Sequence, residues 1–206
     1  HFFRNISAAG ATSPTYVAEG GINPFGITDV GWYSSPTLGD IDGDGDLDLF
    51  IGNGSGRTLF FRNTGSASAP VYSQQGEDTP FGIADVGAKA TPAFADADGD
   101  GDLDLFIGNQ FRNTLFFRNT GSSSSPAFEE EDANTPFGIA YVGNSSSPAF
   151  ADADSDGDLD LFIGNNDGNT RFFRNTAATP IAPVNATIAN GSYGIGDVIN
   201  LTVGFS

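Results

Sequence analysis

Fifteen aspartates stand in three groups of five. Residues 40–53 read DIDGDGDLDLFIGN, residues 96–109 DADGDGDLDLFIGN and residues 152–165 DADSDGDLDLFIGN. In each group the acids fall at positions 1, 3, 5, 7 and 9, with glycine at position 6. Five carboxylates this close repel one another unless a cation sits among them. Calcium, a hard cation taking six to eight oxygens, suits such a loop. Acids at positions 1, 3, 5 and 9 can curl around one point, and position 7 can add its backbone carbonyl. The sharp turn needed at position 6 is supplied by Gly45, Gly101 and Gly157. The spacing therefore predicts three Ca²⁺ sites. In the first, Asp40, Asp42, Asp44 and Asp48 are side-chain ligands and Asp46 gives its carbonyl, its side chain turned to solvent. The corresponding sets are Asp96, Asp98, Asp100, Asp102 and Asp104, then Asp152, Asp154, Asp156, Asp158 and Asp160. An EF-hand would need glutamate at position 12 and flanking helices. Position 12 is Ile51, Ile107 or Ile163, so each loop opens like an EF-hand and runs on into a strand. Ser155 replaces a glycine at position 4 of the third loop, a position that supplies no ligand.

Other chemistry has little to work with. There is no cysteine, hence no thiolate metal site or disulfide framework, and the single histidine is His1. Aspartate pairs can serve glycosidases as acid and base. Here every clustered aspartate already has a place in a calcium loop, where a divalent ion would hold it ionised. A non-enzymatic protein is expected. The net charge of −18 argues against nucleic acid or anionic membranes as partners. No apolar run is long enough to span a bilayer as a helix. Asn53-Gly54-Ser55 and Asn185-Ala186-Thr187 have the form of N-glycosylation acceptors.

The elements that position the loops repeat with them. The offset between successive loops is 56 residues. PFGI recurs at 24–27, 80–83 and 136–139, and FFRN at 2–5, 60–63, 116–119 and 172–175. A fixed period of this length marks a repeat architecture. Three repeats follow, at 25–80, 81–136 and 137–180, preceded by the tail of another over 1–24. With 28 glycines and 11 prolines, the chain suits short strands and tight turns rather than helices. Each repeat reads as four strands, in the first at 35–41, 48–51, 57–63 and 69–74. Leu47, Leu49 and Ile51 alternate with Asp48 and Phe50, the period of a strand. Tandem four-stranded units are how propeller blades look in sequence, and the nineteen phenylalanines supply the bulk between them. Arg4, Arg62, Arg118 and Arg174, half of the basic residues, keep the repeat. Each is expected at the end of a third strand, bonded to an acidic or carbonyl group of its own or the next blade.

The run FGI, DVG, SP and DIDGDGDLDLFIGN, over nearly all of 25–180, resembles the FG-GAP or VCBS repeat, the calcium-loop blade of integrin α-subunit propellers and of large bacterial extracellular proteins. The resemblance implies an all-β fold of tandem four-stranded β-propeller-type blades with calcium between the first two strands of each. It also implies an extracellular or cell-surface setting and a role in adhesion, recognition or structural assembly. The same blade serves lectins and accessory domains of polysaccharide-acting proteins. Trp32 and Tyr33 are the best aromatic platform for a glycan, although the aligned Ala88/Lys89 and Asn144/Ser145 do not repeat it. Packing against an upstream blade is the plainer expectation for Trp32.

Residues 181–206 change character. A Pro/Ala/Asn-rich linker leads into YGIGDVINLTVGFS at 193–206, where Ile199, Leu201, Val203 and Phe205 share one face. That segment is similar to the opening strands of bacterial Ig-like domains. Propellers close with about four to eight blades, so three repeats and a tail suggest an incomplete ring. It would be completed by further repeats of a longer chain or by other copies of this one. Residues 2–5 and 195–205 are expected to be β-paired.

Overall fold

The computed structural model describes residues 2–7, 12–21, 23–76, 80–111, 114–131 and 136–176. These form thirteen strands and no α-helix. Strands β1 (Phe2–Asn5) and β2 (Tyr16–Glu19) make an antiparallel hairpin. The expected pairing of 2–5 is thus met within the chain; that of 195–205 and the Ig-like segment lie outside the described residues. The next sheet runs in the order β3 (Ser35–Gly39), β4 (Asp48–Gly52), β5 (Thr58–Asn63), β6 (Tyr72–Gln75). The second full sheet is β7 (Thr91–Ala95), β8 (Asp104–Gly108), β9 (Leu115–Asn119), β10 (Phe128–Glu130). The third comprises β11 (Ser147–Ala151), β12 (Asp160–Gly164) and β13 (Thr170–Phe173). Among the described residues all pairings are antiparallel between consecutive strands, and each sheet keeps two open edges. Pro36, Pro92 and Pro148 lie in the first strand of each sheet, an edge where a missing N–H costs no ladder bond.

The alternation of Leu49 and Ile51 with Asp48 and Phe50 does not separate a buried from an exposed face. Asp48, Leu49, Phe50, Ile51 and Gly52 are all buried, as are all five residues of β8. In β8 both faces meet neighbouring sheets, whereas in β4 the Leu49 and Ile51 face is covered, with Leu59 and Phe61, by Ile27 and Val30 of the preceding loop and by Tyr72 of its own sheet. Phe50 and Phe60 of one blade pack on Leu105, Ile107 and Phe117 of the next, whose opposite face, Phe106 and Phe116, packs on Leu161 and Ile163. Leu47 lies outside the strand and is exposed.

The PFGI motif finds its role here. Its three residues Pro-Phe-Gly form a single 3₁₀ turn at Pro24–Gly26, Pro80–Gly82 and Pro136–Gly138. Phe25, Phe81 and Phe137 have φ of 60°, 53° and 52°, a left-handed conformation that costs a non-glycine residue free energy. Aromatic packing offsets that cost. Phe81 lies 4.9 Å from Phe60, Phe137 4.8 Å from Phe116 and Phe25 4.9 Å from Phe2, ring centre to ring centre. Each wedge closes on the FFRN strand of the blade before it. The strands of neighbouring blades also approach closely at glycine. A Cβ on Gly52 would collide with the carbonyl oxygen of Ala90, and one on Gly108 with that of Ser146.

Candidate metal centres

Each acidic loop joins the first strand of a sheet to the second. Its fold is written by its own aspartates. The position-1 carboxylate accepts the amide of the position-6 glycine across the loop. The bonds are Gly45 N to Asp40 at 3.1 Å, Gly101 N to Asp96 at 3.1 Å and Gly157 N to Asp152 at 3.2 Å. Those glycines have φ of 89°, 92° and 94°. The position-5 carboxylate accepts the position-7 amide, at 3.0 Å for Asp44 and Asp46, 2.9 Å for Asp100 and Asp102, and 3.0 Å for Asp156 and Asp158. Position 4 also turns left-handed, with φ of 70° at Gly43, 77° at Gly99 and 63° at Ser155. The third loop thus keeps its path although serine replaces glycine, with strain as the consequence.

Position 9 is different. Asp48, Asp104 and Asp160 open their strands and are 1 %, 2 % and 0 % exposed. One oxygen of each accepts the amide of the asparagine in FFRN, Asn63 at 2.7 Å, Asn119 at 2.8 Å and Asn175 at 2.8 Å. The other oxygen accepts an amide inside the loop in two repeats, Ala97 for Asp104 at 3.1 Å and Ala153 for Asp160 at 3.3 Å. In the first repeat the buried Asp48 carboxylate faces the equivalent position-2 amide, that of Ile41. Burial pushes the Asp48 carboxyl up to about 6; the Asn63 amide opposes this, and the nearby charges of Asp42 and Asp44 add to it. Burial also raises Asp104, against the Asn119 and Ala97 amides. Such groups seek a positive charge or a proton.

Three carboxylate oxygens come together in each loop, all within 4.8 Å of one another. They belong to Asp40, Asp42 and Asp44, to Asp96, Asp98 and Asp104, and to Asp152, Asp154 and Asp156. Oxygens sharing one calcium at about 2.3–2.6 Å can be no farther apart than about 5 Å, so the clusters fit the ion. Asp48, Asp100 and Asp160 stand outside these tight groups, as do the position-7 side chains of Asp46, Asp102 and Asp158.

The FFRN arginines take the position-3 aspartate of their own blade, as expected of an acid-bonded residue. Arg62 pairs with Asp42, Arg118 with Asp98 and Arg174 with Asp154. Arg62 also lies 3.8 Å from Asp44, and Arg118 Nε donates to Glu131 at 2.5 Å. Missed from the sequence was that FFRN thereby touches its loop twice, by arginine at position 3 and by the asparagine amide at position 9. The constant spacing between loop and FFRN was the available signal.

A second missed device uses the asparagine after each Ile-Gly. Asn53 donates to Val30 O at 3.1 Å and Asn109 to Val86 O at 2.8 Å, and Asn165 is likewise bonded to Val142 O. Asn53 Oδ1 meanwhile accepts from the Ser55 and Arg57 amides and the Ser55 hydroxyl, at 3.0, 3.2 and 2.7 Å. A side chain so engaged and buried is not presented as a glycan acceptor in the folded protein. Asn185 lies outside the described residues.

Trp32 and Tyr33 are 73 % and 66 % exposed, and Lys89 Nζ sits 4.7 Å above the Tyr33 ring. The Trp32 indole lies against Gly54, where a Cβ would clash with it.

An all-β chain of stacked four-stranded units, each with an acidic loop between its first two strands, is a blade-type repeat protein. Residues 40–107 and 96–163 match the FG-GAP-like repeat family, and the chain belongs to that family. No curated protein sequence matches the chain at a significant level.

Proposed function

We propose that the chain is a calcium-stabilised extracellular repeat module acting in adhesion or structural assembly. One observation carries this reading. In three loops of the same spacing, three carboxylate oxygens converge within 4.8 Å of one another. One arginine per loop offsets only part of that negative charge, and a bound calcium supplies the remainder. The chain does the rest. Positions 1 and 3 offer side-chain oxygens in every loop, joined by position 5 in the first and third and by position 9 in the second, and the cross-loop bonds from Gly45, Gly101 and Gly157 hold the turn open toward them. Position 9, fixed by the FFRN asparagine amide, ties the loop to the sheet. Neutralising the loop stiffens the join between first and second strands and so the blade.

Loops of this kind in extracellular modules bind at about 10⁻⁴–10⁻³ M, which suits calcium outside cells. Its partners, on this reading, are other copies of the chain or further repeats, with surface proteins or glycans as ligands, and it catalyses nothing. Thermal unfolding in calcium and in EDTA tests the core of the proposal, with a clear loss of melting temperature expected in EDTA. An unchanged melt contradicts it. Light scattering with and without calcium tests assembly, for which a monomer in both conditions is the adverse result.

The exposed Trp32–Tyr33 pair favours a second reading, a carbohydrate-binding module in which flat aromatic faces stack on sugar rings. Binding on a glycan array that is lost in Trp32→Ala would support it, and an array with no signal would end it.

A further inference from the structure

Calcium is not the only cation the loops are built to meet. In all three blades the arginine of FFRN reaches across from the third strand to the position-3 aspartate. That aspartate belongs to the converging oxygen cluster in every loop. The recurrence is geometric as well as sequential. Arg62 and Arg118 lie within β5 and β9, Arg174 directly follows β13, and each meets the third residue of its own loop.

We propose that these arginines are tethered counter-cations that compete with calcium for the position-3 carboxylate and thereby set the affinity of each loop. The proposal rests on the calcium reading above. Three features support exchange rather than a fixed strut. The arginine side chains are 48 %, 31 % and 55 % exposed, so each can turn out to water without leaving a buried charge behind. The Asp42 and Asp154 partners are less exposed than the arginines, at 15 % and 21 %, and each has an oxygen that makes no hydrogen bond. The loop bonds that shape the ligand set, from the glycine amides to position 1 and from the position-7 amides to position 5, do not involve the arginine.

Charge then decides the sign. In metal-free protein a guanidinium offsets part of the repulsion among five aspartates, so it stabilises the empty loop. When calcium enters, the same unit charge repels a divalent ion and shares one of its ligands, so it weakens binding. Removing it should tighten calcium by about tenfold per loop, the order expected for one unit charge beside a divalent ion under water-like screening. The second loop should change least, because Glu131 shares Arg118 with Asp98 through a 2.5 Å bond to Nε and offsets part of its charge.

The test compares the wild-type chain with Arg62→Gln, with the triple variant Arg62→Gln/Arg118→Gln/Arg174→Gln and with the corresponding lysine triple. Calorimetric titration with CaCl₂ reads affinity, and melting in EDTA reads the metal-free state. The expected result is tighter calcium by about tenfold in the glutamine triple. Its melting temperature in EDTA should fall, and the charge-conserving lysine triple should stay close to wild type in both. The single Arg62→Gln variant, expected to tighten one site only, answers the question if the triple does not fold. Wild type that binds calcium, with glutamine variants that bind equally or more weakly, overturns the competition and leaves the calcium reading intact. Wild type that takes up no calcium overturns both.

Discussion

Asp48 and Phe50 lie two residues apart on one strand and are equally buried, yet their surroundings are opposite. Phe50 meets Phe60 at 4.8 Å and Phe94 of the next blade at 5.0 Å, so everything it needs is inside the chain. Asp48 is a buried carboxylate held by the Asn63 and Ile41 amides, in a loop whose other ionisable groups are all acids. Its charge balance is completed only from outside the loop, by an arginine, a proton or a metal ion. The contrast separates two sources of order in the blade. Apolar stacking between sheets needs no ion, whereas on the calcium reading the loops should respond to one.

Truncating the stacked core should have the largest effect. Phe106→Ala removes a ring that touches Phe116, Phe137 and Phe150 and should cost about 3–5 kcal/mol. Denaturant unfolding should show the same loss in calcium and in EDTA. A loss confined to one condition would mean that core and loops are not separate. Phe172 offers a control. It stacks on Phe162 at 4.9 Å but is 45 % exposed, where its counterparts Phe60 and Phe116 are 4 % and 1 %. Phe172→Ala should therefore cost well under half as much.

Stripping calcium comes next. Each loop should lose about 2.7 kcal/mol relative to a solution with calcium about 100 times its Kd. Hydrogen exchange should show that loss concentrated at 40–48, 96–104 and 152–160, with β4 and β8 amides still protected. Uniform loss of protection would erase the distinction between the two regions.

The pH response should change sign with the metal. In EDTA, the raised Asp48 pKa means that the folded state holds the proton more tightly than the unfolded chain. Its contribution to stability is therefore fully present below the ordinary aspartate range and lost as pH rises through about 6. With calcium bound, protonation of the same carboxylates opposes the ion, so stability should fall on acidification. Melts of wild type and Asp48→Asn between pH 5 and 7.5 read this directly. Asp48→Asn should raise metal-free stability at neutral pH and lower it in calcium.

Ser155→Gly should have the smallest effect. Ser155 has φ of 63° where Gly43 and Gly99 stand in the other loops. Relief of that strain, offset by the freer unfolded chain, should stabilise the third loop by about 0.5–1 kcal/mol. A destabilised variant would mean that the serine makes a compensating contact.

Most of the architecture was legible in the sequence because it is repeated. The 56-residue period, the strand–loop–strand order and the three aspartate sets were each written three times. What remained hidden depends on contacts across blades. One strand cannot reveal that Asp48–Gly52 is covered on both faces, since its alternation looks like a half-buried strand until the neighbouring sheet and the preceding loop are placed. Nor can PFGI reveal that Phe81 adopts a left-handed turn to reach Phe60. Among the loop aspartates, spacing identified the group but not its subdivision. Position 9 is buried and anchored to FFRN, while positions 1, 3 and 5 converge in two loops and positions 1, 3 and 9 in the other. That difference arises from small shifts of side chains, which a common spacing does not encode.

The central claim is that each acidic loop holds a calcium ion. Its most direct test is the calcium content of protein stripped with EDTA and then dialysed to equilibrium against a series of calcium concentrations. The account predicts saturation at three ions per chain, falling to two in a variant whose first loop carries Asp40→Asn, Asp42→Asn and Asp44→Asn together. Saturation near zero, or a content of three that survives loss of those carboxylates, would contradict it.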